Sequence, residues 1–222
     1  MKISAIIVSD AKTKAINDMV DNMIKSIRNN NENVEIIIVE KQKEYNITYS
    51  GYDIFLKQTE SFNYNANLNI GIEKASGDYI ALLNNDLIFT EKDTFKKLIE
   101  KMNQYNVDVA SPVGDDRELI RNFIGYECVK GYRVRQSLYG WFIFLKRETL
   151  SKIGKLNTDY EFWSSDEIFL DQCKENNLIV ASFPKIYVKH LESKTLRTLN
   201  KNKQLFYTRV NYMTYLKNKR KK

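Results

Sequence analysis

The stretch Ala75–Phe89, ASGDYIALLNNDLIF, decides the fold prediction because it changes abruptly from apolar to polar. Tyr79–Leu83 is continuously apolar and predicts a buried strand, and Asn84, Asn85 and Asp86 follow it directly. In open α/β sheets, ligands bind in the crevice at the carboxyl ends of the strands. A carboxylate there suits a hard divalent cation that shares its oxygen ligands with substrate phosphates. Asp86 is therefore a candidate cation ligand, although an Asp after a strand also serves simply as a turn or helix cap.

Apolar strands alternate with amphipathic helices around this stretch. Ile3–Val8 and Val34–Val39 are continuously apolar, as buried strands of a parallel sheet are, and apolar residues recur at helical spacing from Ile16 to Ile27. The alternation predicts an α/β fold with a single Rossmann-like, mostly parallel sheet flanked by helices. The other elements predicted in this half are a strand near residues 53–57, a helix over Tyr64–Lys74, a helix that follows a capping box of Thr90 and Asp93, and a strand over Val107–Ser111.

The second half of the chain is less regular but shows no linker. We predict one domain over residues 1–192, followed by a basic, amphipathic C-terminal helix or tail over residues 193–222. The elements predicted here are a strand over Trp141–Leu145, a short helix over Glu148–Ile153, a helix from Ser165 to about Asn176, a strand over Ile179–Phe183 and a terminal helix over about 200–217.

The positive charge of the chain is concentrated at its C-terminus. The 222 residues carry a net charge of +7, yet residues 193–222 hold ten Lys or Arg and no Asp or Glu, which leaves 25 basic against 28 acidic residues elsewhere. Such a tail can contact anionic lipid, nucleic acid or an acidic polymer, or it can form a solvated helix. The N-terminal apolar run is too short for a signal peptide, and Cys128 and Cys173 are isolated. We therefore expect a cytoplasmic protein, with peripheral membrane contact through the tail as one option.

Two blocks of sequence resemble the inverting glycosyltransferases with the GT-A fold, the nucleotide-diphospho-sugar transferase fold of the large family-two group. Asn69-Ile70-Gly71-Ile72 through Asn84-Asn85-Asp86 resembles their central motif region, in which Asn84-Asn85-Asp86 is a rhamnosyltransferase-like variant of the DXD motif. Gly140–Leu156 is similar to the segment that lines their acceptor side. Ser165-Asp166 stands where the family has a Glu-Asp pair, and Val188-Lys189-His190 stands where many members carry a metal-binding His.

The resemblance implies inverting transfer of a hexosyl or deoxyhexosyl group from a nucleotide-diphosphate sugar to a hydroxyl of a glycan, protein or other acceptor. Asp86 and His190 would hold Mn²⁺ or Mg²⁺, and Asp166 would accept the proton of the attacking hydroxyl. No dedicated nucleic-acid partner is expected. The residues that the resemblance places at the nucleotide are Ser9, Glu40, Asn69, Asn84 and Asn85, and those at the acceptor or sugar are Tyr139, Gly140, Trp141, Trp163 and Ser165.

Two other functions stay open from the sequence. A nucleotidyltransferase would carry a Gly-rich loop after its first strand, which Ser9-Asp10-Ala11-Lys12 lacks. A non-catalytic glycan- or nucleic-acid-binding protein is compatible with the reduced Asn-Asn-Asp motif and with the missing Glu before Asp166. Individual residues also have structural alternatives, since Asp166 can cap a helix and His190 can be a surface residue.

Overall fold

The computed structural model describes residues 1–41, 48–58, 61–114, 123, 125–159, 165–191, 213 and 215–217. None of the helices in these ranges combines the length and the apolar character that a bilayer crossing requires. In chain order the elements are β1 (Ile3–Ser9), α1 (Lys14–Asn30), β2 (Val34–Glu40), β3 (Ile54–Lys57), α2 (Tyr64–Lys74), β4 (Tyr79–Leu83), β5 (Leu87–Ile88), α3 (Thr94–Tyr105), β6 (Val109–Val113), β7 (Val129–Lys130), β8 (Phe142–Lys146), α4 (Arg147–Ile153), α5 (Ser165–Glu175), β9 (Val180–Tyr187) and β10 (Lys189–His190).

The central sheet is mostly parallel, as the sequence predicts. Its strand order is β3-β2-β1-β4-β8-β6-β9-β7. Strands β3, β2, β1 and β4 pair in parallel, and β6 pairs in parallel with β9. Strand β8 runs antiparallel to β4 and β6, and β7 runs antiparallel to β9. The α/β prediction with a mostly parallel sheet is therefore confirmed.

The inner strands are mostly apolar because the sheet is covered on both faces. In β1 and β2, Ile7 and Ile38 pack in the cluster that contains the apolar residues of α1 and α3. Their neighbours Ile6 and Val39 point to the other face and pack with α2 and α5. Since successive side chains of a strand point to opposite faces, this two-sided burial accounts for runs without polar alternation.

The start of α3 differs from the sequence prediction. The capping box of Thr90 and Asp93 is wrong, because α3 begins at Thr94 and Asp93 makes no side-chain capping hydrogen bond. Asp93 has a left-handed backbone with φ of 59°, and its backbone N–H donates to Asn30 O at 2.7 Å. The backbone of Asp93 is therefore fixed by a hydrogen bond to the end of α1 and not by a side-chain capping hydrogen bond.

One edge of the sheet gathers the polar residues that follow β1, β2 and β4. Because β8 is antiparallel to β4, with Leu83 opposite Phe142, the residues that precede β8 reach the same edge. The backbone N–H of Asn84 extends this pairing by donating to Trp141 O at 3.0 Å. A second, two-stranded sheet of β5 and β10 places His190 opposite Leu87. The topology therefore brings segments 84–86, 139–141 and 190 together.

Part of the C-terminal region lies against α5. Tyr215 is buried, and its hydroxyl donates to Asp171 Oδ2 at 2.7 Å. Residues 215–217 are helical, while most of the predicted terminal helix over 200–217 lies outside the described residues. This contact attaches the end of the chain to the helix that carries Asp166.

Candidate active site

Asp86 and His190 meet just beyond the end of β4. Asp86 is only 3% exposed, and its backbone carbonyl accepts a hydrogen bond from Leu191 N at 2.9 Å. This backbone pairing brings His190 Nε2 to 3.2 Å from Asp86 Oδ1. The separation is within ion-pair range, but the two atoms are not aligned for a hydrogen bond, and neither has another partner among the described residues. Because a hydrogen bond requires the N–H to point at the acceptor, Asp86 Oδ1 and His190 Nε2 are both buried polar atoms without a hydrogen bond.

The geometry of these two atoms fits a shared divalent cation. Buried polar atoms normally have partners, so two of them that converge without one indicate a ligand between them. Adjacent ligands of an octahedral cation at about 2.1 Å lie about 3 Å apart, close to the separation between Asp86 and His190. Mn²⁺ and Mg²⁺ complete such coordination with substrate phosphates and water. The described residues contain no group of three or more His, Cys, Asp or Glu that could hold a metal, so the fit rests on this pair.

Trp141 supports the His190 ring. The two rings stack with centroids 5.0 Å apart and an interplanar angle of 17°. Gly114 lies close to both residues, and a Cβ there would be 2.9 Å from Trp141 Cζ2 and 3.5 Å from His190 Cβ. Trp141 is half-buried, and the structure thus gives it a contact with the candidate cation ligand. Its predicted contact with an acceptor or sugar stays a prediction.

Asp166 lies against Gly140 in the first turn of α5. A Cβ at Gly140 would be 2.7 Å from both Cβ and Oδ2 of Asp166, so only glycine permits the observed approach. Asp166 Oδ1 accepts a hydrogen bond from the backbone N–H of Glu167 at 3.1 Å. Burial, followed by the hydrogen bond and the charge of Asp166, raises the pKa of Glu167 to about 8. The carboxyl of Glu167 therefore keeps its proton to a higher pH than an exposed glutamate does.

The predicted nucleotide-binding residues Ser9, Glu40 and Asn85 belong to one buried hydrogen-bond chain. Asn85 Nδ2 donates to Ser9 Oγ at 3.4 Å, and Ser9 Oγ lies 3.5 Å from the hydroxyl of Tyr49. The Tyr49 hydroxyl donates to Glu40 Oε2 at 2.7 Å, and Ala11 N donates to Glu40 Oε1 at 3.0 Å. Burial and then the charge of Glu40 raise the pKa of Tyr49, so this phenol stays protonated. The carboxylate of Glu40 thus holds Tyr49 and the loop after β1 in place.

Asn84 is oriented by Tyr64, a residue that the sequence analysis missed. The Tyr64 hydroxyl donates to Asn84 Oδ1 at 2.8 Å. Burial raises the pKa of Tyr64, and the charges of Asp86 and Asp166 raise it further. The hydroxyl of Tyr64 therefore stays protonated and donates to Asn84.

Asn69 makes a structural contact in this geometry. Its Nδ2 donates to Leu156 O and its Oδ1 accepts from Leu156 N, both at 2.9 Å. Asn63 Nδ2 and Asn65 Nδ2 donate to the backbone carbonyls of Thr158 and Asn157. These asparagines of α2 and its N-cap thus fix the segment before α5. The predicted nucleotide role of Asn69 stays a prediction and would use a remaining donor or acceptor of an amide already engaged.

The predicted acceptor-side residues Tyr139, Ser165 and Trp163 lie in different surroundings. Tyr139 is 3% exposed and its backbone N–H donates to Ser111 Oγ at 3.1 Å, so it belongs mainly to the core. Ser165 is half-buried at the start of α5, beside Asp166. Trp163 lies outside the described residues. No pattern in the sequence distinguishes Tyr49 and Tyr64 among 14 tyrosines, and Glu167 could have been found only as the neighbour of Asp166.

A sequence comparison identifies a family for most of the chain. The family described as "Glycosyl transferase family 2" matches residues 11–151, which include both the β4 edge and Gly140. Curated protein sequences give no significant match.

Two solved structures share the fold of this chain. The mannosyltransferase PcManGT from Pyrobaculum calidifontis, in complex with GDP-Man and Mn²⁺, is similar with a TM-score of 0.63 at 15% identity, over 87% of this chain and 57% of that chain. The crystal structure of S. aureus TarS 1-349 is similar with a TM-score of 0.59 at 12% identity, over 87% of this chain and 59% of that chain. The chain thus spans under two thirds of the length of each, and these similarities establish the GT-A fold.

Proposed function

The chain belongs to glycosyl transferase family 2, and we propose that it transfers a sugar from a nucleotide-diphosphate donor to a hydroxyl acceptor with inversion, assisted by Mn²⁺ or Mg²⁺. The observation that carries the proposal is the buried pair of Asp86 Oδ1 and His190 Nε2, 3.2 Å apart and without hydrogen bonds, at the carboxyl end of the central strand. The mannosyltransferase of the same fold was solved with GDP-Man and Mn²⁺, which supports the same class of donor and cation here.

In this proposal the residues near the carboxyl ends of the strands have distinct roles. Asp86 and His190 hold the cation, which when bound neutralises the negative charge that develops on the leaving diphosphate. Ser9, Asn85 and the Tyr49–Glu40 pair form the wall for the nucleoside. Asp166, fixed against Gly140, accepts the proton of the attacking hydroxyl. A positioned carboxylate contributes about 10²–10⁴-fold to such a proton transfer.

A direct displacement needs the base on the acceptor side and the cation on the donor side. Contacts connect the two groups without interruption: Asp166 touches Gly140, the next residue Trp141 stacks on His190, and His190 lies beside Asp86. This arrangement supports attack from one face and departure of the diphosphate from the other, which is inversion. Whether the transferred sugar is a hexosyl or a deoxyhexosyl group depends on contacts made by residues other than these.

The test is a donor screen followed by one substitution. Thermal shifts with nucleoside diphosphates, with and without Mn²⁺, identify the nucleotide, because a ligand that binds the folded state stabilises it. Asp166→Asn should then abolish transfer and leave binding of the nucleotide sugar unchanged. Asp18→Asn, the same change on the exposed face of α1, is the control and should retain full turnover. Turnover in Asp166→Asn would remove this residue from the mechanism, and binding without any turnover in the wild type would favour a non-catalytic glycan-binding protein.

We also propose that the basic segment 193–222 contacts an anionic lipid surface near the acceptor side. Its ten basic residues face no acidic residue within the segment, and Tyr215 attaches the segment to α5, the helix of Asp166. Co-sedimentation with vesicles that contain phosphatidylglycerol, compared with phosphatidylcholine alone, tests this contact. Binding that is strong at low salt, weak at high salt and lost on removal of residues 218–222 supports it. Equal sedimentation with both vesicles contradicts it.

A further inference from the structure

Among the three polar residues after β4, Asn84 is the most exposed. Asn85 is 7% exposed and Asp86 is 3% exposed, whereas Asn84 is half-buried. The backbone of Asn84 is fixed by its hydrogen bond to Trp141 O. Its side-chain oxygen accepts from Tyr64, and its Nδ2 makes no hydrogen bond to a residue in the described ranges. The two N–H groups of this half-buried amide therefore lie on the side away from the Tyr64 hydroxyl.

The orientation of the Asn84 amide follows from its hydrogen bond with Tyr64. Tyr64 is 6% exposed, and its hydroxyl donates to Asn84 Oδ1 at 2.8 Å. While Oδ1 accepts from this hydroxyl, the two N–H groups of Asn84 lie on the other side of the amide. Loss of the Tyr64 hydroxyl would free the amide to rotate.

We propose that Tyr64 is a positioning residue that holds the Asn84 amide so that its two N–H groups bind oxygen atoms of the donor diphosphate. This inference rests on the proposed function, since it names how that site contacts its donor. A neutral amide suits this position because it supplies donors without adding a third negative charge beside Asp86 and Asp166. Ionised phosphate oxygens are acceptors, so they match the N–H groups of Asn84, which have no hydrogen-bond partner among the described residues.

The experiment is a double-mutant cycle on nucleoside-diphosphate binding. Tyr64→Phe keeps the ring and removes the hydroxyl, and Asn84→Asp keeps the oxygen acceptor and removes the N–H donors. Calorimetric titration with GDP and with UDP, each in the presence of Mn²⁺, should show that either change raises Kd by about five- to tenfold, the range expected for one hydrogen bond. The double variant should bind no more weakly than Asn84→Asp, because Tyr64 acts through donors that are already gone.

The control is Tyr79→Phe, which removes a hydroxyl from another buried tyrosine at the opposite end of β4. It should leave Kd unchanged, and thermal unfolding should show that all variants remain folded. Additive effects of Tyr64→Phe and Asn84→Asp, or an unchanged Kd in Tyr64→Phe, would overturn the role of Tyr64 while leaving the transferase proposal intact. A wild-type protein that binds neither diphosphate would overturn both.

Discussion

The substitution Gly140→Ala should displace Asp166, the proposed base, from the other residues of the candidate site. In Gly140→Ala, the new Cβ would lie 2.7 Å from Asp166 Cβ, whereas ordinary contacts begin at 3.4 Å. Asp166 must therefore move by about 0.7 Å, and rotation of its carboxylate cannot relieve the clash because Cβ is attached directly to the backbone of α5. A misplacement of about 1 Å can cost about 10²-fold in rate. The φ of Gly140 is not positive, so alanine causes no backbone strain there.

The assay is release of the nucleoside diphosphate from the donor that the wild type turns over. We expect kcat to fall by about 10²-fold in Gly140→Ala, with Kd for the nucleoside diphosphate and Mn²⁺ within about twofold of the wild type. Unfolding temperature shows whether the variant is intact. A folded Gly140→Ala protein with wild-type kcat would refute the assignment of Asp166 as the base, because the clash leaves that side chain no way to stay in place.

Three further predictions follow from other contacts. Gly114→Ala, whose Cβ would press on Trp141 at 2.9 Å, should weaken Mn²⁺ binding and leave kcat at saturating Mn²⁺ unchanged, as EPR titration and rates would show. Burial alone would raise the pKa of Glu35, but hydrogen bonds from Ser4, Ser76 and Lys2 outweigh it and lower the pKa to about 2. Glu35→Gln should therefore cost about 1–3 kcal/mol near pH 7, a loss that fades as the pH falls from about 4.5 toward 2 in urea unfolding. The pKa of Glu167 is raised to about 8, so the folded state binds the extra proton, and stability should fall as the pH rises from about 4.5 through 8. Glu167→Gln should flatten that slope, and an unchanged slope would contradict the raised pKa of Glu167.

The parts of the fold that the sequence predicts well are those set by burial. The runs of β1, β2 and β4 are mostly apolar because both faces of the sheet are covered, and the bounds Tyr64–Lys74 and Tyr79–Leu83 are confirmed. Asp93 could not be predicted, because a hydrogen bond to Asn30, distant in sequence, sets its backbone. The two-residue strands β5 and β10 are also invisible in the sequence, although their pairing brings His190 to Asp86.

In the candidate site, too, some residues can be predicted from the sequence and others cannot. Asp86 is predicted from its place at a strand end, and Asp166 is predicted from the resemblance, which aligns it with the Glu-Asp pair of the family; both roles stay predictions. Tyr64 and Tyr49 have no such signal, and they reach the candidate site only through contacts between separate elements. The close approach of Gly140 to Asp166 likewise depends on the antiparallel direction of β8, which places residues before that strand at the candidate site.

We propose that Asp86 and His190 hold a divalent cation at the end of β4. EPR titration of Mn²⁺ in the presence of the bound nucleoside diphosphate measures this directly, since free Mn²⁺ gives a signal that decreases on binding. We predict one bound Mn²⁺ per wild-type chain, and an affinity at least about tenfold lower in both Asp86→Asn and His190→Ala. Equal Mn²⁺ affinity in the wild type and in Asp86→Asn would contradict the account.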